Sequence, residues 1–136
     1  MDDIKDIREA RNRVEFKETN ERGDNHSAVD WCEKEYPEMT TEYKRIMWEQ
    51  YETFCKKNKN YGTGNISVGS DLKTEDDRRL ALTGLWFRKS DKINRLKQLV
   101  VLGHTDEVGE SIQDTYADLS VYGIISQIVA NGKWGK

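Results

Sequence analysis

The stretch that decides the fold is ESIQDTYADLSVYGIISQIVA, residues 110–130, followed by Asn131-Gly132. Its second half, Val121 to Ala130, is apolar on nearly every side, as the central helix of a small bundle would be. A helix from about Val108 to Ala130 is expected, closed by the Asn-Gly pair as a C-terminal signal. Upstream, Thr74 with Asp77 three residues on reads as a helix start, with the acids of TEDD (74–77) in its first turn. Leu82, Leu85, Trp86, Ile93, Leu96, Leu99 and Val100 form its apolar set, and Gly103 stops it. Ser90 and Asp91 interrupt that stripe, so one bent helix or two shorter ones are expected. Earlier still, Tyr43, Ile46, Met47, Tyr51 and Phe54 recur at helical spacing and predict a core helix from Thr40 or Thr41 to near Lys57 or Asn58. Between them NKNYGTGNISVGSDLK (58–73) reads as a long glycine-dotted loop. No segment alternates with period two, so the expected fold is all-α, with three to four core helices.

Working outward, the only proline, Pro37, divides the chain by composition. Residues 1–40 carry 12 acids against 7 bases, and TNERGDNHSA (19–28) is wholly polar and turn-like. Ile4, Ile7, Ala10 and Val14 recur at helical spacing. Residues 1–37 are therefore read as a polar N-terminal arm with one marginal helix and a mobile link, and residues 38–136 as the all-α domain.

Composition bounds the function. At 136 residues the chain has room for one domain of ordinary size. Charged residues make up 35%, and 22 bases face 25 acids, leaving no strongly basic field for a nucleic-acid duplex. Four Trp, six Tyr and three Phe argue against disorder despite a mean hydropathy of −0.91. The most apolar run is too short to span a bilayer, and MDDIKDIREARNR lacks a signal-peptide core. A soluble cytoplasmic protein is expected. Cys32 and Cys55 fit neither a disulfide framework nor a zinc spacing, and with only His26 and His104 a hydrolytic triad has no support.

Two groups of residues carry candidate chemistry. On a continuous helix, Glu110, Asp114 and Asp118 at i, i+4 and i+8 would drift by only about 40° per step and form one acidic row. Acids near a bundle core need partners, either a metal ion or arginines and lysines. Arg88, Lys92 and Arg95 offer interhelical salt bridges, whereas the alternative is a set of oxygen ligands for Mg²⁺. The second group is the segment KKNKNYG (56–62): amides can read base or sugar edges, Tyr61 can stack on a base and lysines can meet phosphates. Gly62, Gly64 and Gly69 permit close backbone approach, but no phosphate-binding Gly-Lys-Ser/Thr loop follows.

The ordered set KNKNYG (57–62), LWFR (85–88) with DKINRL (91–96), and ESIQDTYADLSVY (110–122) resembles the nucleotide-modification-associated domain 1 family, frequent in bacteriophages. The resemblance spans about residues 41–130, and its helices look like those of MazG-like all-α nucleoside triphosphate pyrophosphatases. It implies Mg²⁺ held by Asp91, Glu110, Asp114 and Asp118, with Glu110 and Asp114 as the catalytic acidic pair. It also implies a nucleoside lined by Asn58, Asn60 and Tyr61, with Lys57 or Arg95 near the phosphates. A homodimer or homotetramer follows from the same likeness, in the host cytoplasm for a viral chain. The pyrophosphatases carry Glu-x-x-Glu on the earlier helix, where this chain has Asp91, Asn94 and Arg95, and their later pair is usually spaced by three rather than four. Three readings follow: a Mg²⁺-dependent deoxynucleoside triphosphate pyrophosphohydrolase; a non-catalytic protein that sequesters a nucleotide such as a host immune signal; and a helical adaptor whose acidic row is only ion-paired.

Overall fold

The computed structural model describes residues 25–136, and the helix expected around Ile4 to Val14 lies outside them. The described residues are all-α: α1 (Asn25–Glu35), α2 (Pro37–Tyr61), the single turn α3 (Gly64–Ser67), α4 (Glu75–Leu96) and α5 (Ile112–Ala130). The chain divides into two compact units, Met1–Thr53 and Phe54–Lys136, with α2 contributing to both.

In the first unit the polar link expected before Pro37 is helical from Asn25 onward. Val29, Cys32 and Glu33 are half-buried at i, i+3 and i+4, a helical face that the surrounding polar residues mask in the sequence. Pro37, rather than Thr40 or Thr41, opens α2. Its missing N–H costs nothing in a first turn, where no carbonyl would have received it. The Tyr36 carbonyl accepts the Thr40 N–H at 3.1 Å, and the Thr40 hydroxyl donates to the same oxygen at 3.0 Å instead of capping. Lys44 Nζ reaches Glu33 Oε2 at 2.6 Å and ties α2 to α1. The stripe read as core is open: Tyr43, Ile46, Met47 and Tyr51 are all exposed, and α2 has no buried residue.

The second unit has a defined core of Ile66, Leu72, Ala81, Leu85, Ile125, Val129 and Trp134, with Phe54, Leu82, Val121, Tyr122 and Ile128 packed against it. Side-chain contacts between Arg95 and Thr115, Lys92 and Asp118, and Lys89 and Ser126 show α4 and α5 running antiparallel. Thr74 caps α4 as expected, accepting the Asp77 N–H at 3.1 Å. Ser90 and Asp91 do not break α4, because its inward face runs through Ala81, Leu85, Arg88, Lys92 and Arg95 and leaves both of them off it. The helix instead widens into a π turn over Lys97–Val101 and ends at Gly103, whose φ is +70°. Helix α5 starts at Ile112, not Val108. Asp106 accepts the Val108 N–H in a tight turn, Gly109 takes φ +80°, and Ser111 caps the helix by accepting the Asp114 N–H. At its far end Gly132 (φ +68°) and the paired bonds Gly132 N–H to Val129 and Lys133 N–H to Ile128 close α5 as anticipated. Beyond it Trp134 folds back, its indole N–H donating to the Thr63 carbonyl at 3.1 Å and its ring lying 5.9 Å from Phe54.

No described helix is long and apolar enough to cross a membrane. Leu85, 1% exposed at the centre of the α4–α5 seam, is the position where volume matters most. Leu85→Ala is expected to cost about 2–5 kcal/mol of unfolding free energy, read as a lowered midpoint in urea.

Candidate functional site

The displaced start of α5 changes the acidic row. Glu110 stands before the helix, beside the capping Ser111, so Glu110, Asp114 and Asp118 do not lie along one helical face. Lys92 instead draws two of them together: its Nζ lies 3.2 Å from Glu110 Oε1 and 2.9 Å from Asp118 Oδ2. Hydrogen bonding to Asp118, with a smaller part from Glu110, raises the Lys92 ammonium above its ordinary range. One turn on, Arg95 spreads its guanidinium over the other side of the cluster. Nε donates to the Thr115 hydroxyl at 3.1 Å, and Nη2 donates to the Glu110 carbonyl and faces Asp106 at 3.5 Å. Thr115 is fully buried at the foot of this arrangement. The Val108 N–H, aided by Arg95, holds the Asp106 carboxyl below its ordinary value of 3.8.

Asp106 and Thr115 were not legible as members of the cluster. The signals for them are indirect: an Asp two residues before Val108 in a Gly-containing turn, and a Thr one helical turn after the Ser cap. Asp114 is exposed in the first turn of α5, and Asp91 is exposed on the outer side of α4. Among the described residues no group of three His, Cys, Asp or Glu gathers where it could hold a metal ion. The donor set Asp91, Glu110, Asp114 and Asp118 therefore does not fit a Mg²⁺ site in this conformation, since an ammonium sits where the cation would share Glu110 and Asp118.

The segment KNKNYG lies elsewhere on the same unit. Five of its six residues, Lys57 to Tyr61, belong to the end of α2 and not to a loop; Gly62, at φ +70°, is the first residue outside it. Lys57, Asn60 and Tyr61 share about 100° of helix surface and are all exposed, whereas Asn58 turns inward and donates its amide to the Phe54 carbonyl at 2.9 Å. The turn that follows is held by donors from α4 and from the chain just beyond α5. Trp134 binds the Thr63 carbonyl, Arg88 the Asn65 carbonyl at 2.8 Å, and Arg78 the carbonyls of Leu72 and Lys73 at 3.0 and 2.8 Å. Inside it Val68 and Leu72 take left-handed backbone, with φ of 53° and 58°. For a β-branched residue such as Val68 this conformation is an outlier, stored strain of about 1–3 kcal/mol. Arg88, which meets this turn, stands about 10 Å along α4 from Arg95, so the Tyr61 group and the Glu110 cluster occupy different levels of the hairpin.

Comparison with protein-family models, with curated proteins and with solved structures finds no match.

Two outcomes follow from this geometry. The Asp106 carboxyl is held below its ordinary value, so its charge stabilises the fold above that value, and the contribution is lost as pH falls through the lower, folded value. Asp106→Asn is thus expected to melt below the parent at pH 7, with the gap closing as pH falls below 3.8 and through the lower, folded value. Val68→Gly relieves the left-handed strain and is expected to raise stability by about 1 kcal/mol in thermal melts; an unchanged or lower melting point would show that the turn does not store it.

Proposed function

We propose that this chain binds a nucleotide at the end of α2 and holds it without cleaving it. The observation that carries the reading is Tyr61, 56% exposed on the last turn of α2 beside Lys57 and Asn60, at the edge of a turn pinned by three separate donors. An exposed aromatic ring is a stacking platform for a base, worth about 1–3 kcal/mol. Asn60 can meet base or sugar edges. A helix C-terminus repels anions, so phosphates would be met by the long side chain of Lys57 and not by backbone groups. The likeness of KNKNYG, DKINRL and ESIQDTYADLSVY to phage nucleotide-modification domains supports the same ligand class.

Binding is favoured over hydrolysis by the state of the carboxylates. Metal-assisted phosphoryl chemistry needs several free carboxylate oxygens converging on one point. Here Glu110 and Asp118 both engage Lys92, Glu110 also faces Arg95 at 3.7 Å, and Asp91 and Asp114 are exposed. The reading takes the protein as a homo-oligomer that withholds a nucleotide from other proteins.

The test is thermal stability against a panel of linear and cyclic nucleotides, with and without Mg²⁺, with the ligand recovered afterwards by chromatography. Saturation at a hundred times the dissociation constant adds about 2.7 kcal/mol, a shift of several degrees for this size. The expected result is such a shift with the ligand recovered intact, and its loss in Tyr61→Ala while the melting point of the free protein stays unchanged. Pyrophosphate released in a Mg²⁺-dependent way would establish the hydrolase instead. No shift with any nucleotide would leave a helical adaptor with an ion-paired acidic cluster.

A further inference from the structure

Residues 54–136 are divided by charge. All ten of their acids lie between Asp71 and Asp118, whereas the stretches 54–70 and 119–136 hold five lysines and no acid. The fold joins those two stretches. The Trp134 ring lies 5.9 Å from Phe54 and its indole N–H donates to the Thr63 carbonyl at 3.1 Å, so the tail after α5 lies along α2 from Phe54 to the turn beyond Tyr61. Gly135 follows against Thr63, where an added Cβ would stand 3.6 Å from the hydroxyl. Phe54 and Tyr61, seven residues apart, are within about 20° of each other around the helix, so the face that Trp134 covers at Phe54 is the one that ends in Tyr61. Lys57 stands about 40° from Tyr61 on one flank, and the tail lies on the other, toward the inward-turned Asn58. Lys56 and Lys59 are turned roughly 140° or more away from Tyr61 and belong to the opposite side of α2.

We propose that Lys133, in this tail, belongs to the nucleotide site, where Lys133 and Lys57 each meet a phosphate, and that the ligand carries at least two phosphate groups. The inference rests on the nucleotide reading and narrows its ligand class. Lys133 is exposed, and its backbone is fixed on one side by the N–H it donates to the Ile128 carbonyl at 3.0 Å and on the other by the buried Trp134. Neither Lys57 nor Lys133 makes an ion pair among the described residues, whereas Lys136 lies within electrostatic reach of Asp71. The C-termini of α2 and α5 offset about half a charge each, so both lysines keep positive charge that no carboxylate meets. An ammonium on a flexible four-carbon stem binds phosphate as a point charge and needs no fixed fork. Two such charges on opposite flanks of one stacking ring suit two phosphate groups and not one.

Calorimetric titration of the full chain tests it, in EDTA at constant ionic strength, with inorganic tripolyphosphate and with the mono- and triphosphates of the common nucleosides as probes. Circular dichroism is the control for folding. The triphosphate of the recognised base is expected to bind about tenfold tighter than its monophosphate; Lys133→Glu should remove that advantage and Lys133→Arg should keep it. Lys97→Glu makes the same charge change on the exposed π turn after α4 and should alter affinity less than about twofold, which separates a contact from net charge. Tripolyphosphate should bind weakly, lose affinity in Lys133→Glu and keep it in Tyr61→Ala. Equal affinity for mono- and triphosphate overturns the proposal, as does a triphosphate advantage that survives Lys133→Glu or falls equally in Lys97→Glu. Tripolyphosphate held through Lys133, with no nucleotide bound more tightly, would overturn the base platform at Tyr61 and support the phosphate contact. No binding of any probe overturns both.

Discussion

The second unit depends on the seam between α4 and α5. Ala81 and Leu85 from one helix meet Ile125 and Val129 from the other, and these four are 6% exposed or less. The small side chain of Ala81 lets the helices approach at the end where Trp134 also closes in, so apolar area is buried where the chain returns on itself. Everything with candidate chemistry hangs on this seam. At one end the antiparallel pair sets Lys92 and Arg95 against the start of α5; toward the other, Trp134, Arg88 and Arg78 hold the turn that follows Tyr61.

The sequence patterns that carried most were those with a local physical cause. The Thr74 cap, the Gly103 stop and the Asn131-Gly132 close depend on a few neighbouring residues and appear where the side chains dictate. The start of α5 was less legible. Glu110 continues the 3.6-residue spacing of Asp114 and Asp118, yet Asp106 and Gly109 supply a tight turn and Ser111 a cap, and the cap wins because it satisfies an N–H that a longer helix would leave to others. Pro37 shows the converse: read as a divider, it serves as the first residue of α2. The stripe of Tyr43, Met47 and Tyr51 has the spacing of a buried face but remains exposed, because periodicity reports that a helix is amphipathic and not what covers it.

The candidate site divides along the same line. That acids near the core would need partners is elementary electrostatics, and Arg88, Lys92 and Arg95 were legible as the bases on offer; Lys92 and Arg95 take acids, whereas Arg88 takes the Asn65 carbonyl. Which acids they take depends on the loop before α5, a tertiary matter. Lys92 and Asp118 keep 22% and 28% of their side-chain surface in water, so the pair is partly screened and its contribution to stability is modest, about 1 kcal/mol or less. Its chief effect is on availability. An ammonium with three donors between two carboxylates neutralises the charge that would otherwise attract a divalent cation, and Arg95 does the same from the other side. Lys56, Lys57 and Lys59 at the end of α2 are exposed and carry no ion pair among the described residues, so they remain available to an anion where the balanced cluster does not.

Helix α4 supplies two of the seven core residues, Ala81 and Leu85, and leaves its other side in water. Its inward face alternates apolar and basic residues, so Leu85 packs while Arg88, Lys92 and Arg95 reach past the seam to loops and acids. Its outer face carries Leu80, Phe87 and the edge-on ring of Trp86 and has no such task within the described residues. A helix apolar on two sides loses the hydrophobic contribution of one of them while that side stays in water, at roughly 25 cal/mol per Å². Substituting polar residues on the outer side would remove that loss without touching the core.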